Sequence, residues 1–259
     1  MTSTASPKPA LIRLPSRTPR RRLFCLPFAG GGVSGYRPWL QALPPDIELV
    51  AAQLPGRESR LREAPYDSIW EMADALLPEI LEMSDLPYAL FGHSMGGLVA
   101  YELAVAIERM RVPAPTHVFI SARRPPDEPA DQPLIGNAPD AEFLDVMQRR
   151  YNAIPDAIKS EPDLLELLLP TLRADLRAIE SYTPRTLHRL RTPVHVFGGV
   201  DDRHPFPNQL AGWQRVVEQP IRVRLFPGDH FFITSQRDAV MNDIAATWTL
   251  DPDRQGSGA

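Results

Sequence analysis

The fold of this chain is decided by the stretch Tyr88-Ala89-Leu90-Phe91-Gly92-His93-Ser94-Met95-Gly96-Gly97-Leu98. It contains the pattern G-x-S-x-G between an apolar strand-like segment and an apolar helix-like one. A serine on a sharp strand-to-helix turn has tight backbone geometry, and glycines two residues before and after it remove side chains that would clash. The Ser94 hydroxyl then projects above the sheet, with the Met95 amide directed at the same space. A glycine-rich turn with an incidental serine is the alternative, and the strand–turn–helix context favours a nucleophile.

Apolar segments of strand type alternate with helical stripes on both sides of Ser94. Strands are expected at residues 23–28, 47–52, 88–92, 118–120, 194–199 and 221–226. Helices are expected at residues 36–43, 66–83, 98–110, 207–217 and 237–249. This alternation predicts an α/β fold with a mainly parallel sheet, right-handed crossovers and flanking helices.

The stretch between the fourth and fifth of these strands breaks the pattern. Residues 123–139 are rich in Pro, Asp and Glu, and leucine-dense helical stripes follow before the alternation resumes at Val194. A mostly helical insertion at about residues 125–185 is typical of a lid over the carboxyl edge of the sheet. An ordinary pair of packing helices is the alternative, but the leucine-rich surface exceeds what one sheet face needs.

Length and composition limit the class of protein. A chain of 259 residues is sufficient for one α/β domain. A net charge of −4 argues against a nucleic-acid binder, and the cluster Arg20, Arg21 and Arg22 is typical of a solvated chain segment. No apolar run approaches 18 residues, so we expect no membrane span. The single cysteine, Cys25, excludes an internal disulfide and indicates a reducing, cytoplasmic location.

The chain ends have a different composition from the domain. Residues 1–19 are rich in Ser, Thr and Pro, which predicts a disordered tail with a short edge strand at Leu11–Leu14. The domain is expected to cover residues 20–250, and residues 251–259 read as a polar tail. We find no assembly motif and expect a monomer.

A serine nucleophile needs a base and an acid that orients the base. In α/β-hydrolases both follow the serine, acid first, each in a loop after a late strand. Of the six histidines, only His230 occupies the loop after the last strand. The loop after the preceding strand offers Asp201 and Asp202. Counting G-x-x-D from the second glycine of that strand favours Asp202, although the pattern leaves Asp201 open.

The oxyanion of acyl transfer needs two donors prepared in advance. The Met95 amide is one, and the turn Phe28-Ala29-Gly30-Gly31-Gly32 after the first strand supplies Ala29 as the other. No His or Cys pair has metal-ligand spacing, so no metal site is expected. The glycines at 30–32 match neither a P-loop nor a dinucleotide fingerprint.

With these residues placed, the chain resembles the type II thioesterases that accompany polyketide and nonribosomal peptide synthases. The resemblance covers residues 23–250 and rests on four motifs: residues 26–31 (LPFAGG), 53–58 (QLPGRE), 92–97 (GHSMGG) and 228–232 (GDHFF). The second is the most discriminating, because α/β-hydrolases in general do not need it. The family's spacing supports Asp202, whereas Asp229 and Phe28 depart from its pattern.

The resemblance implies hydrolysis of acyl groups from the phosphopantetheine thiol of an acyl or peptidyl carrier protein. Ser94 would attack the thioester, His230 would carry protons, Asp202 would orient His230, and no cofactor would be required. A lipase-like or carboxylesterase-like enzyme acting on small oxygen esters is a rival interpretation with the same triad. A non-catalytic binding protein on a hydrolase scaffold is another, disfavoured by the intact Ser94, His230 and acid pair.

Overall fold

A mostly parallel sheet lies at the centre of the molecule. The computed structural model describes residues 9–14, 16–128, 133–152 and 161–248. In this part of the chain the strands are β1 (Leu11–Leu14), β2 (Arg21–Leu26), β3 (Ile47–Ala52), β4 (Tyr88–His93), β5 (His117–Ser121), β6 (Val194–Gly199) and β7 (Arg222–Phe226). Their order across the sheet is β1-β3-β2-β4-β5-β6-β7. β1 pairs antiparallel with β3, and the other neighbours are parallel.

Helices cover both faces of this sheet. The α-helices are α1 (Ile69–Glu82), α2 (Met95–Met110), α3 (Asp140–Tyr151), α4 (Pro162–Glu180), α5 (Phe232–Ser235) and α6 (Arg237–Thr247). Four 3₁₀ helices span Val33–Gly35, Arg37–Gln41, Glu58–Arg60 and Pro207–Val216 among the described residues. Alternate side chains of β2 point to opposite faces: Phe24 packs with α1 and α2, and Cys25 packs with α6. Coverage of both faces is typical of parallel sheets.

The predicted α/β alternation is confirmed, with differences in detail. The helix after Ser94 begins at Met95, three residues before the predicted start. The sequence predicted a later start since Gly96 and Gly97, which lie in the first turn, do not favour a helix. The helices predicted at residues 36–43 and 207–217 are 3₁₀ rather than α helices. Both begin close to a proline, and the second also contains Gly212, so neither sequence favours a regular α-helix.

The predicted edge strand Leu11–Leu14 is also confirmed, so the sheet includes residues before the domain start expected at residue 20. Residues 1–8 and 15 of the predicted N-terminal tail, and the C-terminal tail, residues 251–259, lie outside the described residues. None of the described helices is long and apolar enough to cross a membrane.

The insertion between β5 and β6 contains α3 and α4 and has a small apolar core of its own. Phe143, Val146 and Met147 of α3 pack with Leu176 of α4 in this cluster. Ala29, from the loop after β2, packs against the same cluster. The insertion therefore contacts the carboxyl end of β2. Residues 129–132 and 153–160 of the predicted lid lie outside the described residues.

Candidate active site

Ser94 lies on a strained turn between β4 and α2. Its backbone has φ 52° and ψ −112°, a combination that residues with a side chain rarely adopt. The Ser94 amide donates to the Ser121 carbonyl at 2.8 Å, and the Gly97 amide donates to the Ser94 carbonyl at 3.0 Å. Neighbouring strand β5 and the first turn of α2 therefore both hold this backbone in place.

The two glycines of the motif are required by close backbone approaches. A Cβ on Gly92 would lie 2.0 Å from the Gly96 carbonyl oxygen, and a Cβ on Gly96 would lie 2.1 Å from the Leu26 carbonyl oxygen. The second contact brings the start of α2 against the end of β2. Met95, the first residue of α2, has an amide that belongs to the unpaired N-terminal turn of the helix.

His230 and Asp202 form a buried pair at the carboxyl edge of the sheet. His230 Nδ1 lies 2.9 Å from Asp202 Oδ2, and each side chain is at most 3 % exposed. Asp202 Oδ1 accepts from the His204 amide at 2.8 Å, so both carboxylate oxygens are engaged. Asp201 is exposed. The structure therefore pairs the histidine with Asp202, and Nδ1 binding leaves Nε2 for proton transfer.

Aromatic rings surround His230. Ring centroids of Tyr151, Phe231 and His93 lie 5.0, 5.3 and 5.3 Å from its own. His93 is itself fixed by a 2.9 Å hydrogen bond between its Nδ1 and Ser121 Oγ. Burial, together with the nearby His230, lowers the pKa of His93 well below its ordinary 6.5. His93 is therefore neutral at pH 7 and places no second positive charge beside His230.

The other histidines have different surroundings. His117 and His195 stack at 5.3 Å on one face of the sheet, and His188 Nε2 lies 3.0 Å from Glu108 Oε2. His204 contributes its backbone amide to Asp202, and its ring lies 5.5 Å from that of Tyr151. Of the six, His230 is the one whose ring is paired with a carboxylate of the β6 loop.

Three consecutive amides of the loop after β2, those of Ala29, Gly30 and Gly31, differ in their hydrogen bonds. The Gly31 amide donates to the Phe28 carbonyl at 2.8 Å, which closes a tight turn with Gly30 at φ +76°. The Gly30 amide donates to Asp175 Oδ2 at 2.7 Å. Within the described residues, no hydrogen bond engages the Ala29 amide.

The loop after β3 explains why the chain carries the L-P-G-R-E motif. Arg57 Nη1 donates to the Gly31 carbonyl at 3.0 Å, and the guanidinium forms a two-point ion pair with Asp175 at 2.9 Å for each contact. Glu58 Oε1 accepts from the amide and the hydroxyl of Ser34 at 2.9 and 2.6 Å. Arg57 therefore holds the glycine-rich loop after β2, and Glu58 holds the 3₁₀ helix Val33–Gly35 that follows this loop.

Sequence reasoning described this motif only as a polar loop after a strand, and it did not identify Asp175. Asp175 is 118 residues from Arg57, inside a leucine-rich helix. The one available sign was an aspartate on the leucine-rich stripe of α4, at a position where an apolar residue would suit a buried face.

A cavity of about 420 Å³ lies between the loop after β2, helix α4 and the loop after β7. Its apolar wall consists of Leu165, Leu168, Leu169 and Leu172 of α4 together with Phe28, Ala29 and Phe231. At its rim, Asp229 Oδ2 accepts from Asn152 Nδ2 at 3.1 Å. The carboxylate that departs from the family pattern thus links the His230 loop to the end of α3.

A serine on a strand–turn–helix elbow, followed along the chain by a paired acid and histidine, defines the α/β-hydrolase class on this sheet. The thioesterase domain family matches residues 21–247, and the chain belongs to that family. Gramicidin S biosynthesis protein GrsT of Aneurinibacillus migulanus is 34 % identical over 212 residues, which cover 82 % of each chain.

Solved structures show the same relationship. The type II thioesterase BorB from the borrelidin biosynthetic cluster matches with a TM-score of 0.80 and 32 % identity, covering 91 % of this chain and 94 % of BorB. RedJ, a thioesterase of the prodiginine pathway in Streptomyces coelicolor, matches with a TM-score of 0.80 and 34 % identity. That match covers 93 % of this chain and 91 % of RedJ. The resemblance to type II thioesterases is thereby confirmed.

Proposed function

We propose that this protein hydrolyses acyl thioesters from the phosphopantetheine arm of a carrier protein. It would thereby clear aberrant or stalled acyl units from a polyketide or nonribosomal peptide synthase. The observation that carries the proposal is the buried His230–Asp202 pair, which follows a serine elbow in the chain and whose loop lines an apolar cavity. Membership of the thioesterase domain family supports it, as do the biosynthetic names of GrsT, BorB and RedJ.

In the first step Ser94 Oγ attacks the thioester carbonyl while His230 Nε2 takes the hydroxyl proton. Asp202 holds the Nδ1 tautomer of His230 and stabilises its positive charge. The tetrahedral intermediate collapses, the carbon–sulfur bond breaks, and the pantetheine thiol leaves with the proton from His230. The acyl group remains on Ser94 as an ester.

In the second step a water molecule attacks this ester and gives a proton to His230. The carboxylic acid leaves, and Ser94 recovers its proton from His230. In both steps the negative oxygen would accept hydrogen bonds from the Met95 and Ala29 amides. Removal of one such donor costs on the order of 10²–10³ in rate, so both amides matter.

The apolar wall of the cavity suits the acyl chain, because its leucines offer no hydrogen-bonding groups to an alkyl segment. Helices α3 and α4 would act as the lid over this chain. We further propose that the protein works as a monomer in the cytoplasm, where its buried Cys25 thiol would stay reduced. Sedimentation and cell fractionation test these two points.

The test compares acyl-carrier-protein thioesters with p-nitrophenyl esters on wild type and Ser94→Ala. We expect higher kcat/KM on the carrier thioester and a loss on the order of 10⁶ in kcat for Ser94→Ala. Equal or better kcat/KM on the simple esters would instead support an esterase. Turnover by Ser94→Ala close to that of the wild type would refute the nucleophile, and failure of a fluorophosphonate to label Ser94 would favour a binding protein.

A further inference from the structure

We infer that Arg57 and Asp175 are positioning residues that aim the Ala29 amide at the reacting oxygen. This inference rests on the proposed function. Arg57 and Asp175 side chains are 3 % and 0 % exposed and form a planar two-point ion pair. Such pairs fix orientation as well as distance, because both terminal guanidinium nitrogens, Nη1 and Nη2, bind the two carboxylate oxygens.

Two further hydrogen bonds of the pair go to the glycine-rich loop, while Arg57 Nε donates to the Pro55 carbonyl of its own loop at 3.2 Å. Asp175 Oδ2 accepts from the Gly30 amide at 2.7 Å, and Arg57 Nη1 donates to the Gly31 carbonyl at 3.0 Å. Since the Gly31 amide is already bonded to Phe28, the two amides after Ala29 are both engaged within the protein. The backbone direction at Ala29 is therefore set by contacts made one and two residues further on.

A buried ion pair is in general not needed for the stability of a fold. Well-packed apolar residues of similar volume are often as stable as a buried ion pair, because removing two charges from water is costly. Burial raises the pKa of Asp175, and the guanidinium of Arg57 opposes that rise. An apolar pair could not make the hydrogen bonds to Gly30 and Gly31, the two residues that follow the proposed donor Ala29.

The pair also connects the insertion to the catalytic edge. Asp175 lies on α4, whereas Arg57 and the glycine-rich loop follow strands of the central sheet. On the same helix, Thr171 Oγ1 donates to the Gly56 carbonyl at 2.5 Å, so α4 is attached to the loop after β3 at two points. The position of α4 therefore determines the direction of the Ala29 amide.

The test measures kcat and KM on an acyl-carrier thioester for Asp175→Asn and Arg57→Lys in the full-length protein. Asparagine has a single acceptor oxygen for Arg57 and Gly30, and lysine lacks the planar fork. We expect kcat to fall by about 10²-fold in each, the cost of misplacing or losing one donor, with KM changed much less. The matched control is Asp140→Asn on α3, which breaks a surface ion pair with Arg173 of α4, the helix that carries Asp175. We expect this control to leave kcat unchanged.

A second readout separates positioning from general damage. An alkyl boronic acid that binds the serine as a tetrahedral adduct should lose affinity in proportion to kcat/KM. The inference would be overturned if the variants of Arg57 and Asp175 had the melting temperature, kcat and boronate affinity of the wild type. It would also be overturned if Asp140→Asn lost as much kcat as they do. Since Arg57→Lys keeps the buried charge, it decides the matter if Asp175→Asn does not fold. A wild type without thioesterase turnover would count against the proposed function instead, and the boronate affinities would still report on positioning.

Discussion

The two amides proposed to bind the oxyanion are held in different ways. The Met95 amide is fixed by steric packing, because Gly92 and Gly96 bring β4, α2 and β2 into direct backbone contact. The Ala29 loop is fixed by polar contacts, through Arg57 and an aspartate that comes from the insertion. One half of the site is therefore part of the central sheet, and the other half depends on where α4 lies.

This difference assigns separate roles to the two regions. In the proposed mechanism, the sheet side, with Ser94, His230 and Asp202, provides the covalent and proton-transfer chemistry. The insertion side lines the cavity and, in the same proposal, supports one oxyanion donor. We therefore expect changes on the sheet side to abolish the chemistry or the fold, and changes on the insertion side to weaken catalysis by degrees.

After Ser94→Ala, the largest effect on the sheet side is expected from Asp202→Asn. Loss of the carboxylate removes the partner that selects the His230 tautomer, and kcat should fall by about 10⁴-fold. Asp201→Asn is the matched control, because Asp201 is exposed and should change kcat little. Steady-state kinetics on an acyl-carrier thioester measures both. Equal losses in the two variants would contradict the assignment.

Gly96→Ala tests the steric half of the comparison. The added Cβ would lie 2.1 Å from the Leu26 carbonyl oxygen, so α2 or β2 must move. We expect the free energy of unfolding to fall by about 3 kcal/mol, as in overpacked sites. Urea denaturation measures this, with Gly35→Ala as control, since its Cβ meets nothing closer than 3.9 Å. An unchanged midpoint for Gly96→Ala would show that this contact relaxes freely.

Two histidines on the sheet side, His93 of β4 and His195 of β6, should make the free energy of unfolding depend on pH. Burial lowers the pKa of His93 and of His195 below the ordinary 6.5. Their contribution is therefore present above pH 6.5 and is lost as the pH falls, because the unfolded chain binds these protons first. Each can contribute up to about 1.4 kcal/mol per pH unit. Chemical denaturation between pH 7.5 and 5 should show this slope, and His93→Gln should reduce it; an unchanged slope would exclude His93 as its source.

The smallest effect is expected from Asn152→Gly, at the rim of the cavity. Glycine tolerates the left-handed backbone of Asn152, at φ 51°. It removes an exposed bond from Gln148 within α3 and, across the rim, the hydrogen bond to Asp229. Because this bond is exposed and contributes about 1 kcal/mol, KM should rise by no more than about fivefold with kcat unchanged. Steady-state kinetics on an acyl-carrier thioester measures both KM and kcat. A loss of kcat similar to that of Asp202→Asn would show that α3 supports the chemistry itself.

The sheet side was the part most accessible from sequence. The Ser94 elbow depends on glycines two residues away, and the order of acid and histidine follows from strand order, so local motifs were sufficient. The choice between Asp201 and Asp202 was not, because both belong to one turn. It depends on which carboxylate faces inward, a consequence of the bond from the Asp202 amide to the Gly199 carbonyl.

The insertion side was much less accessible. Its leucine stripes predicted helices, and α3 and α4 confirm them. The contact between Arg57 and Asp175 joins residues far apart in the chain and obeys no local spacing rule, so the motif at residues 54–58 had no assignable physical role. Only the packing of α4 on the loops after β2 and β3 reveals what the motif binds.

The most direct test of the account is a structure of the protein inhibited by an alkyl fluorophosphonate, whose adduct mimics the tetrahedral intermediate. We predict phosphorus bonded to Ser94 Oγ, its phosphoryl oxygen about 3 Å from the Met95 and Ala29 amides, and the Arg57–Asp175 pair unbroken beneath the loop. The alkyl group should lie along the leucines of α4. An adduct on another residue, or an oxygen bound by neither amide, would contradict the account.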